Sequence, residues 1–154
     1  MLIIFDLDDT LIDTTGSIMP AVLKTALKEM QGVGLSLANF NRSYKELLRL
    51  NTYHVSAKEA ILEFLEINNA PVACLDVALD AVYQNPSFKD PVQPLEDAVE
   101  VLEELSASHP LVLVTKGKEE VQREKMEKAG ISSKYFTRLH FCPDRNKKKI
   151  YKKV

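Results

Sequence analysis

The chain has 154 residues, which is enough for one compact domain or for a small core that carries an insertion. Apolar residues make up 45% and charged residues 27% of the sequence, a composition typical of globular proteins. The net charge of −2 gives no reason to expect nucleic acid or an anionic membrane as a partner.

The chain opens with a short apolar run over residues 2–5. Branched and aromatic side chains in so short a run predict a strand that is buried on both faces, as in the middle of a parallel sheet. The run is too short for a membrane span, and no positive charge precedes it as in a signal peptide. We therefore expect a cytoplasmic protein.

Two carboxylates, Asp6 and Asp8, follow this strand at its C-terminal end, the edge at which open parallel sheets bind ligands. Their spacing points both side chains to one side and Leu7 into the core. Such a pair suits phosphoryl transfer. One acid attacks as nucleophile and, with a backbone carbonyl, holds a divalent cation, while the other, kept protonated, protonates the leaving oxygen. The alternative is that these acids only form a turn or cap a helix.

The next segment, residues 16–89, carries helical periodicity and no strand signal of its own. Apolar residues from Ile18 to Met30 recur at helical spacing until the glycines at 32 and 34. Further helices are predicted over 37–50, over 57–67 with Ser56 as N-cap and Glu59 completing a capping box, and over 71–83 with Pro71 in the first turn. Prolines at 86, 91 and 94 then indicate a linker.

The C-terminal part alternates helices and strands. Helices are predicted over 95–105 and 118–129, strands over 111–114 and 136–141, and a lysine-rich helix from residue 146. This alternation is typical of a parallel sheet. The second strand ends in Thr115, which places a hydroxyl, with the N–H of Lys116, at the same sheet edge as Asp6, as a phosphoryl oxygen requires. The alternative is a threonine with a purely structural role.

The residues 5–11, Phe-Asp-Leu-Asp-Asp-Thr-Leu, resemble the first signature of the haloacid dehalogenase superfamily, most of whose members are magnesium-dependent phosphatases that form an aspartyl-phosphate. The resemblance implies that Asp6 is the nucleophile, Asp8 the general acid/base and Asp9 a bystander, with Asp6 and Asp8 at the Mg²⁺ site. The run 111–117, Leu-Val-Leu-Val-Thr-Lys-Gly, looks like the second signature, which makes Thr115 and Lys116 phosphate-binding residues.

The family's third signature is a lysine that offsets the charge of the carboxylates and the phosphate. The candidates are Lys147, Lys148 and Lys149, and the distance to Tyr151 favours Lys147 over Lys148. The fourth signature, a further pair of acids, is missing, since Asp144 precedes the lysines. We therefore expect a truncated chain with weak metal binding and negligible activity. Its first strand is then an edge, and self-association through that edge is expected.

The sequence as a whole predicts an α/β fold. The expected core is a Rossmann-like parallel sheet, in the order third, second, first strand, formed by residues 1–15 and 90–154, and residues 16–89 form an inserted all-α cap. By the resemblance, the expected function is that of a Mg²⁺-dependent phosphatase of a small phosphorylated metabolite. The alternatives are a phosphomutase and a catalytically silent remnant that only binds phosphate or a partner. Neither nucleic acid nor a membrane is expected to bind.

Overall fold

The computed structural model describes residues 1–86, 88 and 91–142. The strands within these residues form one parallel sheet in the order β1-β2-β3. They are β1 Ile3–Phe5, β2 Leu111–Lys116 and β3 Arg138–Cys142. The α/β fold and the strand order predicted from the sequence are thus confirmed.

The central strand, β2, is buried from Leu111 through Thr115, and only its last residue is exposed. A continuous apolar run is the pattern of a parallel strand that is covered on both faces. The last buried residue of β2 is Thr115, which is polar and lies near the end of the strand. Its hydroxyl group therefore lies at the C-terminal edge of the sheet.

The first strand departs from the sequence prediction. β1 was expected to be buried on both faces, but Ile4 is 37% and Leu2 41% exposed. Among the described residues β1 pairs with β2 alone, in the register Ile4 to Val112, and therefore lies at the edge of the sheet. An apolar run alone does not distinguish a central strand from an edge strand, because a strand with one neighbour has the same composition as one with two.

Six of the predicted helices are present at approximately the predicted positions, and the lysine-rich helix predicted from residue 146 lies outside the described residues. None of the described helices is long and apolar enough to cross a membrane. Shorter helical turns of other types cover Thr14–Ile18, Asp80–Gln84 and Ser133–Tyr135. The α-helices are α1 Met19–Gly32, α2 Phe40–Tyr53, α3 Ala57–Ile67, α4 Ala73–Leu79, α5 Ala98–Ser106 and α6 Glu119–Lys128.

Two compact units make up the chain, Met1–Ile18 with Asp90–Val154 and Met19–Lys89. In the second unit α1 packs against α4, and α2 against α3. Ser56 caps α3 by accepting the Glu59 N–H, as predicted, and Asn39 caps α2 by accepting the Arg42 N–H at 2.9 Å. The apolar stripe of α1 is buried in this unit and consists of Val22, Leu23, Ala26, Leu27 and Met30.

The segments on either side of the helical insert pair with each other inside the sheet-containing unit. The N–H of Leu95 donates to the carbonyl of Leu11 at 3.0 Å, and the N–H of Asp13 donates to the carbonyl of Gln93 at 2.9 Å. The predicted linker is therefore fixed, at residues 93–95, to the segment that follows the acidic residues after β1.

Candidate active site

A tight turn follows β1 and positions the acidic residues. The carbonyl of Leu7 accepts the N–H of Leu11 at 2.9 Å and that of Ile12 at 3.2 Å, and the Leu7 side chain is fully buried, as its predicted inward direction requires. The Asp6 carboxylate accepts the N–H of Leu7 at 2.8 Å. Leu7 thus anchors the turn in the core, between the two carboxylates of interest.

Asp8 is the best connected of these acids. Its Oδ1 accepts hydrogen bonds from the Thr14 hydroxyl at 2.6 Å and from the Lys125 Nζ at 2.7 Å. Its Oδ2 accepts a hydrogen bond from the Gln122 Nε2 at 2.8 Å. Three donors from two distant parts of the chain therefore converge on one carboxylate.

These contacts decide the charge of Asp8. Burial by itself raises the pKa of the Asp8 carboxyl, but the Lys125 ammonium and the hydrogen bonds from Lys125, Thr14 and Gln122 together lower it below its usual range. The expectation that Asp8 is kept protonated is therefore wrong for the protein without substrate. The described residues that contact its oxygens, Thr14, Gln122 and Lys125, all donate hydrogen bonds, so these contacts stabilise the ionised form.

Thr115 belongs to the same network. Its side chain is fully buried, and its Oγ1 lies 2.6 Å from the Gln122 Nε2, the same nitrogen that contacts Asp8. Gln122 and Lys125 are also buried, although both are polar. In the described part of the chain, Thr115, Gln122 and Lys125 are the buried polar or charged residues, and all three take part in this one cluster.

Asp9, expected to be a bystander, has a local structural contact. It adopts a left-handed backbone conformation with φ of 52°. Its two carboxylate oxygens accept the backbone N–H and the hydroxyl of Thr15, each at 2.8 Å. These contacts tie Asp9 to Thr15 in the turn that follows β1.

The structure brings together some of the predicted site residues and not others. Asp8 and Thr115 are joined through Gln122, while Lys116 follows Thr115 on an exposed position of β2. Lys147 and the second choice, Lys148, lie outside the described residues.

Sequence reasoning missed Thr14, Gln122 and Lys125. A signal for the last two was present in α6, because positions 122, 125, 126 and 129 form one helical stripe. Two of those four core-facing positions are polar, an arrangement that requires buried partners.

Magnesium is the cation that the first signature implies. At this edge the described residues offer the Asp6 carboxylate and the Asp8 carbonyl, oxygen donors of the type that Mg²⁺ prefers. They include no group of three or more His, Cys, Asp or Glu side chains able to hold a metal ion. This donor set suits a cation that keeps water and phosphate oxygens in its shell, and it does not form an all-protein cage.

Comparison with known proteins identifies the family. The sequence model described as haloacid dehalogenase-like hydrolase matches residues 3–151, which is nearly the whole chain. The chain belongs to the haloacid dehalogenase-like hydrolase family. A comparison with curated proteins gives no match.

Solved structures of this superfamily share the fold. A family hydrolase from Xanthomonas campestris is 19% identical, with a TM-score of 0.54, over 99% of this chain and 66% of that one. A predicted phosphoglycolate phosphatase from Haemophilus somnus is 18% identical, with a TM-score of 0.66, over 98% and 68%. The HAD-hydrolase YfnB from Bacillus subtilis, bound to magnesium, is 16% identical, with a TM-score of 0.53, over 91% and 62%.

These matches support a shared fold, but identities this low carry no information on whether the substrate is shared. The chain spans about two thirds of the length of the proteins that it matches.

Proposed function

We propose that the protein is a magnesium-dependent phosphatase that hydrolyses a small phosphorylated metabolite through an aspartyl-phosphate on Asp6. The observation that carries the proposal is the convergence of buried donors on Asp8 and Thr115. Burial of a lysine and a glutamine costs free energy unless their polar groups are paired or hydrogen-bonded. Here both side chains donate to the carboxylate of Asp8, two residues from Asp6. The choice of a small substrate follows the expectation drawn from the sequence, in which an all-α insert separates β1 from β2.

In the first half-reaction an Asp6 oxygen attacks phosphorus, and the bond from phosphorus to the ester oxygen breaks. Asp8 gives a proton to that leaving oxygen. Because Asp8 is ionised before substrate binds, it must first take up a proton, from solvent or from a monoprotonated ester. Approach of the negatively charged phosphate favours this uptake, since a like charge nearby disfavours the carboxylate.

In the second half-reaction Asp8, again a carboxylate, accepts a proton from water as the water oxygen attacks phosphorus. The bond from phosphorus to Asp6 breaks, and inorganic phosphate and the Asp6 carboxylate result. The Thr115 hydroxyl donates to a phosphoryl oxygen throughout, and Lys147, outside the described residues, is the proposed cationic anchor. Bound Mg²⁺ supplies charge neutralisation for the phosphoryl oxygens and the attacking carboxylate.

Hydrolysis of p-nitrophenyl phosphate at millimolar Mg²⁺ tests the proposal. Asp6→Asn should abolish hydrolysis while the fold persists, because a neutral amide neither attacks phosphorus nor binds the cation well. Asp9→Asn is the matched control, an adjacent acid in the same turn, and should retain most of the rate if it folds. Absence of hydrolysis by the wild-type chain, the outcome expected from the missing fourth signature, would contradict the phosphatase proposal. An Asp6→Asn chain that retains more than roughly a few per cent of the rate would contradict the role of Asp6.

A further inference from the structure

Gln122 is a polar side chain that the mechanism above leaves without a role. It is 1% exposed, lies on α6, and contacts Asp8 and Thr115 through one nitrogen. Asp8 precedes it by 114 residues in the sequence, so only the folded sheet brings these groups together. A buried amide that bridges the proposed acid/base and the proposed phosphate-binding hydroxyl is well placed to orient both.

The direction of these hydrogen bonds follows from the Gln122 amide nitrogen. Its Nε2 lies 2.8 Å from the Asp8 Oδ2 and 2.6 Å from the Thr115 Oγ1, and an amide NH₂ only donates hydrogen bonds. That NH₂ has two N–H groups, and the second faces the Thr115 Oγ1. Thr115 therefore accepts from Gln122, and its own proton is left to be donated to another acceptor.

The chain also makes room for Gln122. Gly117, which follows β2, has a φ of +144°, a conformation that L side chains rarely adopt. A Cβ at this position would lie 3.1 Å from the Gln122 Cδ and 3.2 Å from its Oε1. The glycine thus allows the loop after Thr115 to approach the glutamine side chain closely.

We propose that Gln122 is a positioning residue that commits the Thr115 hydroxyl to donate to the phosphoryl oxygen and holds Asp8 beside it. This inference rests on the proposed phosphatase function and extends it to a residue on α6. Gln122 itself does not touch the phosphate. Its effect on phosphate binding passes through Thr115, and this dependence distinguishes positioning from a general contribution to stability.

A double-mutant cycle on phosphate affinity tests the inference. Inorganic phosphate is titrated at millimolar Mg²⁺ into wild type, Gln122→Met, Thr115→Val and the double variant, with binding followed calorimetrically. Gln122→Met should weaken phosphate binding by roughly tenfold or more in the chain with Thr115, the value of one hydrogen bond to a charged group. In the Thr115→Val background, Gln122→Met should alter phosphate affinity by less than about twofold, because the hydroxyl group that Gln122 orients is absent.

Gln31→Met, on an exposed position of α1, is the matched control and should leave phosphate affinity unchanged. Thermal unfolding checks that each variant folds. If Gln122→Met does not fold, the cycle is run with Gln122→Leu, which also removes both donors and introduces no charge.

The outcomes separate the two proposals. Equal weakening in both backgrounds, or none in the chain with Thr115, overturns the positioning role and leaves the phosphatase proposal standing. A wild-type chain that neither binds phosphate nor hydrolyses p-nitrophenyl phosphate overturns both.

Discussion

At the scale of single residues, the site depends on one ion pair that links distant segments. The Lys125 Nζ lies 2.7 Å from the Asp8 Oδ1, and the lysine side chain is 11% exposed against 29% for the aspartate. Surface ion pairs contribute little to stability, but the loss of one partner from a mostly buried pair leaves an uncompensated charge. Lys125 and Asp8 are therefore expected to stabilise the fold as well as the site.

The pH dependence of stability tests this pair. Lys125→Met should lower the free energy of unfolding at pH 7 by about 1.5–3 kcal/mol, the range for a hydrogen bond to a charged group. The pKa of Asp8 is lowered in the folded state, so its contribution is present above the unfolded value of 3.8 and is lost as the pH falls through the folded pKa. The gap between variant and wild type should accordingly shrink below about pH 3.8.

The measurement is urea unfolding in EDTA between pH 2.5 and 7, which keeps cations away from the carboxylates. Lys128→Met, on the same helix, is the control, because Lys128 pairs with the half-exposed Glu124 at 2.8 Å. The control should change stability by less than about 1 kcal/mol at every pH. A stability difference between Lys125→Met and wild type that stays constant down to pH 2.5 contradicts the proposed stabilising pair of Lys125 and ionised Asp8.

Gly117 offers a second test at this scale. Gly117→Ala should destabilise the protein by about 1–3 kcal/mol, because a Cβ meets both a disfavoured φ and the Gln122 side chain. Gly32→Ala is the matched control, since a Cβ there meets nothing within 4 Å, and it should be neutral or stabilising by up to about 1 kcal/mol. Thermal unfolding of both variants checks this. Equal stability of the two would show that the Gly117 position tolerates a side chain and is not fitted to Gln122.

At the scale of elements, β1 differs most from its sequence expectation. Ile4 in β1 and the preceding Leu2 are partly exposed, and the described strands pair with β1 on one side only. An exposed apolar edge strand is a template for pairing with another chain. We propose that copies of this 154-residue chain self-associate through β1.

Light scattering over a range of protein concentrations tests whether the chain associates through β1. Ile4→Lys should reduce the association of the chain, because a lysine on an edge strand opposes edge-to-edge pairing. Ile67→Lys is the control, since Ile67 is 55% exposed on α3 in the helical unit, and it should leave association unchanged. A wild-type chain that stays monomeric at all concentrations, or identical scattering from wild type and Ile4→Lys, contradicts the proposal.

Prediction from sequence succeeded for elements and failed for their long-range partners. Ser56 caps α3 and β2 is buried as expected, because capping and apolar runs are local signals. The contacts of Asp8 with Gln122 and Lys125 were not predicted, since they join residues more than a hundred positions apart. Likewise, the burial of β1 depends on which strands lie beside it.

At the scale of the whole molecule, the chain belongs to the haloacid dehalogenase-like hydrolase family, and its structure contains a hydrogen-bonded network around Asp8. The sheet brings the end of β2, the turn after β1 and one face of α6 to a common edge. Asp8 and Thr115 were predicted at that edge, and Gln122 is the residue that connects them. The central claim is that Asp6, at the start of this turn, carries the phosphoryl group during turnover.

Trapping the covalent intermediate tests that claim most directly. Asp8→Asn removes the base that activates water, so the phosphoryl group should accumulate on the protein after incubation with p-nitrophenyl phosphate and Mg²⁺. Borohydride reduction followed by peptide mass spectrometry locates the labelled acid. We predict modification of Asp6 and none in the Asp6→Asn, Asp8→Asn double variant. A label on another residue, or hydrolysis by the wild type without any label in the Asp8→Asn chain, would contradict the account.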